Sequence, residues 1–126
     1  MDIVRDKEFV QQFHYDARNF AYEKENGVPE QVVHIQIQII EGVPDVDEAN
    51  TVLTASVTFA IILDKFIVSG FVAQNNVVEN RKLKEQTDLS QAEMEEIAEP
   101  LLDMISRLTR EVSEVALDEP GVNLQF

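Results

Sequence analysis

Between Thr51 and Val78 apolar and small residues run almost without interruption, and the only charges are Asp64 and Lys65, side by side in the middle. A strand wet on one side alternates apolar with strongly polar residues, because successive side chains point to opposite faces. Neither phase does so here. Leu53, Ala55, Val57, Phe59, Ile61 and Leu63 form one face of the first arm, and Val52, Thr54, Ser56, Thr58, Ala60 and Ile62 an uncharged second face. The pattern predicts a long hairpin with strands over 51–63 and 66–78, turning at Asp64-Lys65 and covered on both faces. One cover is expected from the chain itself and the other from a second chain. Gly70 predicts a bulge or a close approach of neighbouring backbone.

Upstream, Phe9, Phe13 and Tyr15 share one parity and Phe20 and Tyr22 the other. This predicts an aromatic strand over 7–22 with a bulge or bend near residues 17–19. Asn26-Gly27 and Pro29 supply turn chemistry. Val33, Ile35, Ile37 and Ile39 then alternate with His34, Gln36 and Gln38, predicting a half-exposed strand over 32–40.

After the hairpin the apolar period changes. Ser90 and Glu93 have capping-box spacing, and Ile97, Leu101, Ile105, Leu108, Val112 and Val115 recur at helical intervals. Pro100 removes an N–H and crowds the carbonyl of Glu96, so the expectation is a short helix over 91–98 and a longer one over 100–116. An extended tail, 117–126, follows. Strands first and helices afterwards predict a single α+β domain over 1–126: a four-stranded antiparallel sheet with a short and a long C-terminal helix on one face.

Charge narrows the partners. The 126 residues carry 24 acidic against 10 basic side chains, a net charge of −14. Residues 1–78 and 79–126 each hold 12 acidic and 5 basic residues, −7 apiece, so the acidity belongs to the whole surface. Nucleic acid is disfavoured as a partner, because its binding rests on basic groups displacing counterions. Membrane insertion is not expected, since neither hairpin arm reaches a bilayer-spanning length. With no cysteine and a charged N-terminal segment without an apolar core, the expected location is the cytoplasm.

Catalytic chemistry finds little support. His14 and His34, the only histidines, have no nucleophile motif beside them, and His14 with Asp16 is the one pair at ligand spacing. Asp45, Asp47 and Glu48 lack the glycine and closing glutamate of a calcium loop. No enzyme activity, cofactor or metal site is expected.

The order of elements carries a resemblance. His14 to Glu23 resembles the bulged aromatic first strand of the SecB-like fold, and Val28-Pro-Glu30 its entry to the second strand. Glu99-Pro-Leu-Leu102 is similar to the start of its principal helix, and Glu119 to Phe126 to the Pro-Val-Asn-Phe segment after that helix. The chain thus resembles the family of the export chaperone SecB, and more closely an uncharacterised Gram-positive family sharing that fold. The resemblance implies self-assembly into dimers or tetramers and chaperone-like binding of unfolded or extended polypeptide along apolar grooves. Phe13, Tyr15, Phe20, Phe66 and Phe71 are the candidate groove or interface residues. The other reading is an acidic homo-oligomeric adaptor whose apolar face is consumed by self-assembly.

Overall fold

The computed structural model describes residues 1–126. Two edge strands, β1 (Asp2–Arg5) and β2 (Phe9–Ala17), precede helix α1 (Phe20–Asn26). Strands β3 (Val32–Ile40), β4 (Thr51–Ile62) and β5 (Phe66–Glu79) follow, and helix α2 (Gln91–Leu117) ends the regular structure. Every pairing is antiparallel. β3 pairs with β4, β4 with β5, and β1 and β2 lie end to end along the far side of β5. The sheet is therefore four strands wide, its outer strand broken at Asp6–Glu8. This is the α+β architecture that the SecB-like resemblance implies.

The hairpin forms where the uncharged pattern predicts it, in the register Thr51↔Val78 to Ile62↔Ile67. Leu53, Ala55, Val57, Phe59 and Ile61 face α2 and are buried with Ile97, Ala98, Leu101 and Ile105. Leu53, Val57, Ile97, Leu101 and Ile105 have no exposed surface; burying each such side chain contributes about 1.5–3 kcal/mol. The opposite face holds Val52, Thr54, Thr58, Ala60, Ile67, Phe71 and Asn75, partly or fully exposed. No helix packs there, so the chain supplies one of the two expected covers. At Gly70 a Cβ would lie 2.1 Å from the carbonyl oxygen of Gln12. The backbones of β5 and β2 meet there, as the glycine foretells.

Three local expectations are corrected. The aromatic strand ends at Ala17, and its bulge sits between Val10 and Gln12. Phe20 and Tyr22 change parity because they lie in α1, whose start is fixed by Asn19, its side chain accepting from the Tyr22 N–H at 3.0 Å. The Arg18 guanidinium forks onto the Glu23 carboxylate at 2.6 Å and donates to the Leu63 carbonyl at 3.0 Å, tying α1 to the end of β4.

The second correction is that α2 runs unbroken through Pro100. Arg5 makes this possible: its guanidinium donates to the carbonyls of Glu96 at 2.8 Å and Ile97 at 2.9 Å. The acceptor deprived by proline is thereby satisfied from another element.

Thirdly, the buried stripe of the last helical turns is Thr109 and Ser113, while Val115 is 84% exposed. Thr109 Oγ1 donates to the Ile105 carbonyl and Ser113 Oγ to that of Arg110. With their hydroxyls bonded inside the helix, these small residues bury without an unpaired polar group.

Candidate functional site

The five aromatic candidates do not gather in one groove. Phe13 approaches Phe59 at 6.1 Å between ring centroids, and Tyr15 stacks at 5.1 Å on Phe66, which is 1% exposed. Phe66 belongs to the core beneath α2, and Phe13 and Tyr15, partly buried, pack against it. Phe71 lies on the opposite face, opposite Gln12 and Thr58. Phe20, 57% exposed, sits on α1 with the Arg18 guanidinium 4.8 Å from its ring centre.

The structure builds a different site between α2 and the free edge of β3. Gln31, Val33 and Ile35 form one wall, and Gln91, Ala92, Glu95, Glu96, Glu99 and Leu102 the other. Gln125 and Phe126 close one side of this groove of about 700 Å³. Its position follows from the sheet order: β3 pairs only with β4, so its outer edge has no strand partner.

Part of that edge is occupied. The Ile37 N–H points away from β4 and donates to Gln86 Oε1 at 3.1 Å, where the 3₁₀ turn Gln86–Asp88 covers the strand. Edge-facing groups alternate along an antiparallel strand, so Val33 and Ile35 also turn their main-chain N–H and C=O outward. Their side chains line the groove. Backbone hydrogen-bonding capacity and apolar surface thus occur on the same residues.

Above this wall stand Glu95, Glu96 and Glu99, none of them in an ion pair. The other wall's start is fixed by the predicted capping box. Ser90 Oγ accepts from the Glu93 N–H at 3.2 Å, and the Ser90 N–H donates back to Glu93 Oε1 at 3.0 Å. Glu93 also pairs with Arg81 at the exit of β5. The Arg81 hydrogen bond, then the Ser90 N–H, hold the Glu93 carboxyl down to about 2 from an ordinary 4.5.

Several groove residues left signals in the sequence. Val33 and Ile35 sit in the strand expected to be half exposed. Glu95, Glu96 and Glu99 form an acidic run without basic partners at helical spacing. What sequence did not show is which edge of the sheet stays free. No group of three or more His, Cys, Asp or Glu side chains stands close enough to hold a metal ion. No helix is long and apolar enough to cross a membrane.

Over residues 1–126 the chain matches the family model described as "Protein of unknown function (DUF1149)". A crystal structure of a protein of unknown function from Streptococcus agalactiae is 40% identical, with a TM-score of 0.91, covering 100% of this chain and 98% of that one. A Mycobacterium tuberculosis SecB-like chaperone, solved with a ChAD peptide from the HigA1 antitoxin, is 12% identical with a TM-score of 0.46. That alignment covers 98% of this chain and 86% of the other. No curated protein matches the sequence.

Proposed function

We propose that this chain, which belongs to the DUF1149 family, binds extended polypeptide in a chaperone-like way along the groove between α2 and β3, without catalysing a reaction. The observation that carries this reading is the juxtaposition at Val33 and Ile35 of an open strand edge with an apolar groove. An extended segment added to that edge is held by main-chain hydrogen bonds, which are independent of client sequence. Its alternate side chains enter the space between Val33, Ile35, Ala92 and Leu102. Glu95, Glu96 and Glu99 favour a client carrying lysine or arginine beside its apolar residues. The ionisable side chains of the groove are carboxylates alone, a lining that fits binding of a cationic extended segment.

The test is suppression of aggregation. At one chain per client chain, the protein should slow light scattering by a chemically denatured client diluted into buffer, and a fluorescent unfolded peptide should bind it. Unchanged scattering together with absent peptide binding overturns the proposal.

A second observation supports self-assembly into a dimer or tetramer. Val4, Phe9 and Val10, on the β1–β2 edge, are between 41% and 53% exposed, and Val115 on α2 more so. Such apolar surface marks an interaction site. An acidic adaptor that assembles but binds no client is the competing role. Light scattering after size exclusion should give two or four times 14.3 kDa; a monomer mass at micromolar concentration overturns self-assembly. The acidic, cysteine-free chain fits a cytoplasmic role.

A further inference from the structure

The segment after α2 turns back along the helix and ends at one side of the groove. Asp118, with φ 52°, closes α2 in the left-handed conformation. Gly121 then passes so close to Arg110 that a Cβ would lie 2.4 Å from the Arg110 carbonyl oxygen and 2.6 Å from its Cγ. The Val122 N–H donates to Ser113 Oγ at 2.9 Å, and Val122 and Leu124 pack against the core. Gln125 and Phe126 then line the α2–β3 groove beside Val33, Ile35 and Leu102.

Phe126 stays 58% exposed. A phenylalanine that anchors a core is buried; this one borders the groove beside its apolar residues Val33, Ile35 and Leu102 with more than half of its surface in solvent. From Pro120 onward one hydrogen bond, that of Val122, joins the segment to the rest of the chain. The attachment is firm at Val122 and Leu124 and weak at the last two residues.

We infer that residues 121–126 are an internal competitor for the groove: Phe126 takes the place of an incoming apolar side chain, and binding of an extended segment displaces it. This rests on the groove being the polypeptide site proposed above. The segment lowers apparent affinity by the fraction of time it occupies the groove.

Two variants of the full chain test this against a fluorescein-labelled peptide of alternating leucine and arginine, read by anisotropy. Phe126→Ala removes the competing side chain and leaves Val122 and Leu124 in place. Gly121→Ala retains Phe126 and forces the segment away from Arg110. An occupancy of about 70–90% predicts that both bind the peptide roughly three- to tenfold more tightly than the wild type. Phe126→Trp introduces the only tryptophan, whose emission should shift to the red as peptide saturates the groove. Wild-type affinity in both Ala variants, or a tryptophan emission unmoved by saturating peptide, overturns the competitor role and leaves the groove reading intact. Absence of binding in all three proteins and the wild type overturns the groove reading and the competitor with it.

Discussion

Arg5 and Pro100 are partners at a distance: the guanidinium of the first donates to the Glu96 carbonyl, the acceptor that the second leaves without its helical N–H. A proline inside a helix costs roughly 3 kcal/mol, in part through that lost bond. Here the loss is offset by a side chain from the first strand, more than ninety residues away in sequence. The contact also fastens β1 to α2, so the broken outer strand of the sheet and the principal helix stabilise each other.

Replacing Arg5 by Ala should therefore destabilise the fold by roughly 2 kcal/mol, the range for hydrogen bonds from a charged donor. Pro100→Ala should stabilise the Arg5→Ala protein more than the wild type, because only there does the new N–H meet an unpaired carbonyl. Urea denaturation of the four proteins of this cycle measures the coupling, expected near 1 kcal/mol. Additive effects would show that Arg5 does not compensate for the proline.

That pair also marks how far the fold is legible in sequence. The hairpin is readable because its two arms lack charge for more than twenty residues, and burial is a local property of each position. The capping box at Ser90 and Glu93 is readable because its partners lie three residues apart. Continuity through Pro100 is not, since the compensating donor is Arg5, and nothing near Pro100 announces it. For the same reason the five aromatic residues do not locate the groove. Phe13, Tyr15 and Phe66 look identical in sequence whether they line a core or a cleft, and the free edge at Val33 and Ile35 follows only from strand order. The helical start at Asn19 was within reach: an Asn cap three residues before Tyr22, with Gly27 beyond the last turn, is a local signal outweighed by aromatic alternation.

Gly70→Ala should cost on the order of 3 kcal/mol, since the added Cβ meets the backbone of Gln12 and Phe13 and not the far end of a movable side chain. The loss should concentrate in the pairing of β2 with β5. Amide hydrogen exchange reads it: protection should fall from Gln12 to Ala17 before it falls in β3. A variant as stable as the wild type would mean that the two strands separate there at little cost.

Glu93 gives the stability a defined acid limb. Its carboxyl is deprotonated more readily in the folded chain than in the unfolded one, so folding releases protons and is favoured as pH rises through this range. The contribution is complete above 4.5 and is lost as pH falls towards 2. Asp88, held low by the N–H groups of Lys84 and Glu85, and Glu23, held low by Arg18, act in the same direction. Glu93→Gln should lower the melting temperature by a few degrees at pH 7, and the gap to the wild type should close by pH 2. A gap independent of pH would assign the loss to packing and not to the charge.

The glutamates over the groove should make client binding depend on salt and on the charge of the client. Glu95, Glu96 and Glu99 are free of ion pairs, so each is available to a lysine or arginine entering beside Val33 and Ile35. Exposed pairs contribute about 0.2–1 kcal/mol apiece. Replacing all three by Gln should therefore weaken binding of a leucine–arginine peptide roughly tenfold at low ionic strength. At about 1 M salt, where charges are screened beyond roughly 3 Å, the difference should shrink towards nothing. A peptide with glutamine in place of arginine should bind the triple variant and the wild type alike, because the apolar floor and the β3 edge are unchanged between them. Equal loss for both peptides would mean that the substitutions disturb α2 itself, and a charge effect without salt dependence would place the arginines away from this rim.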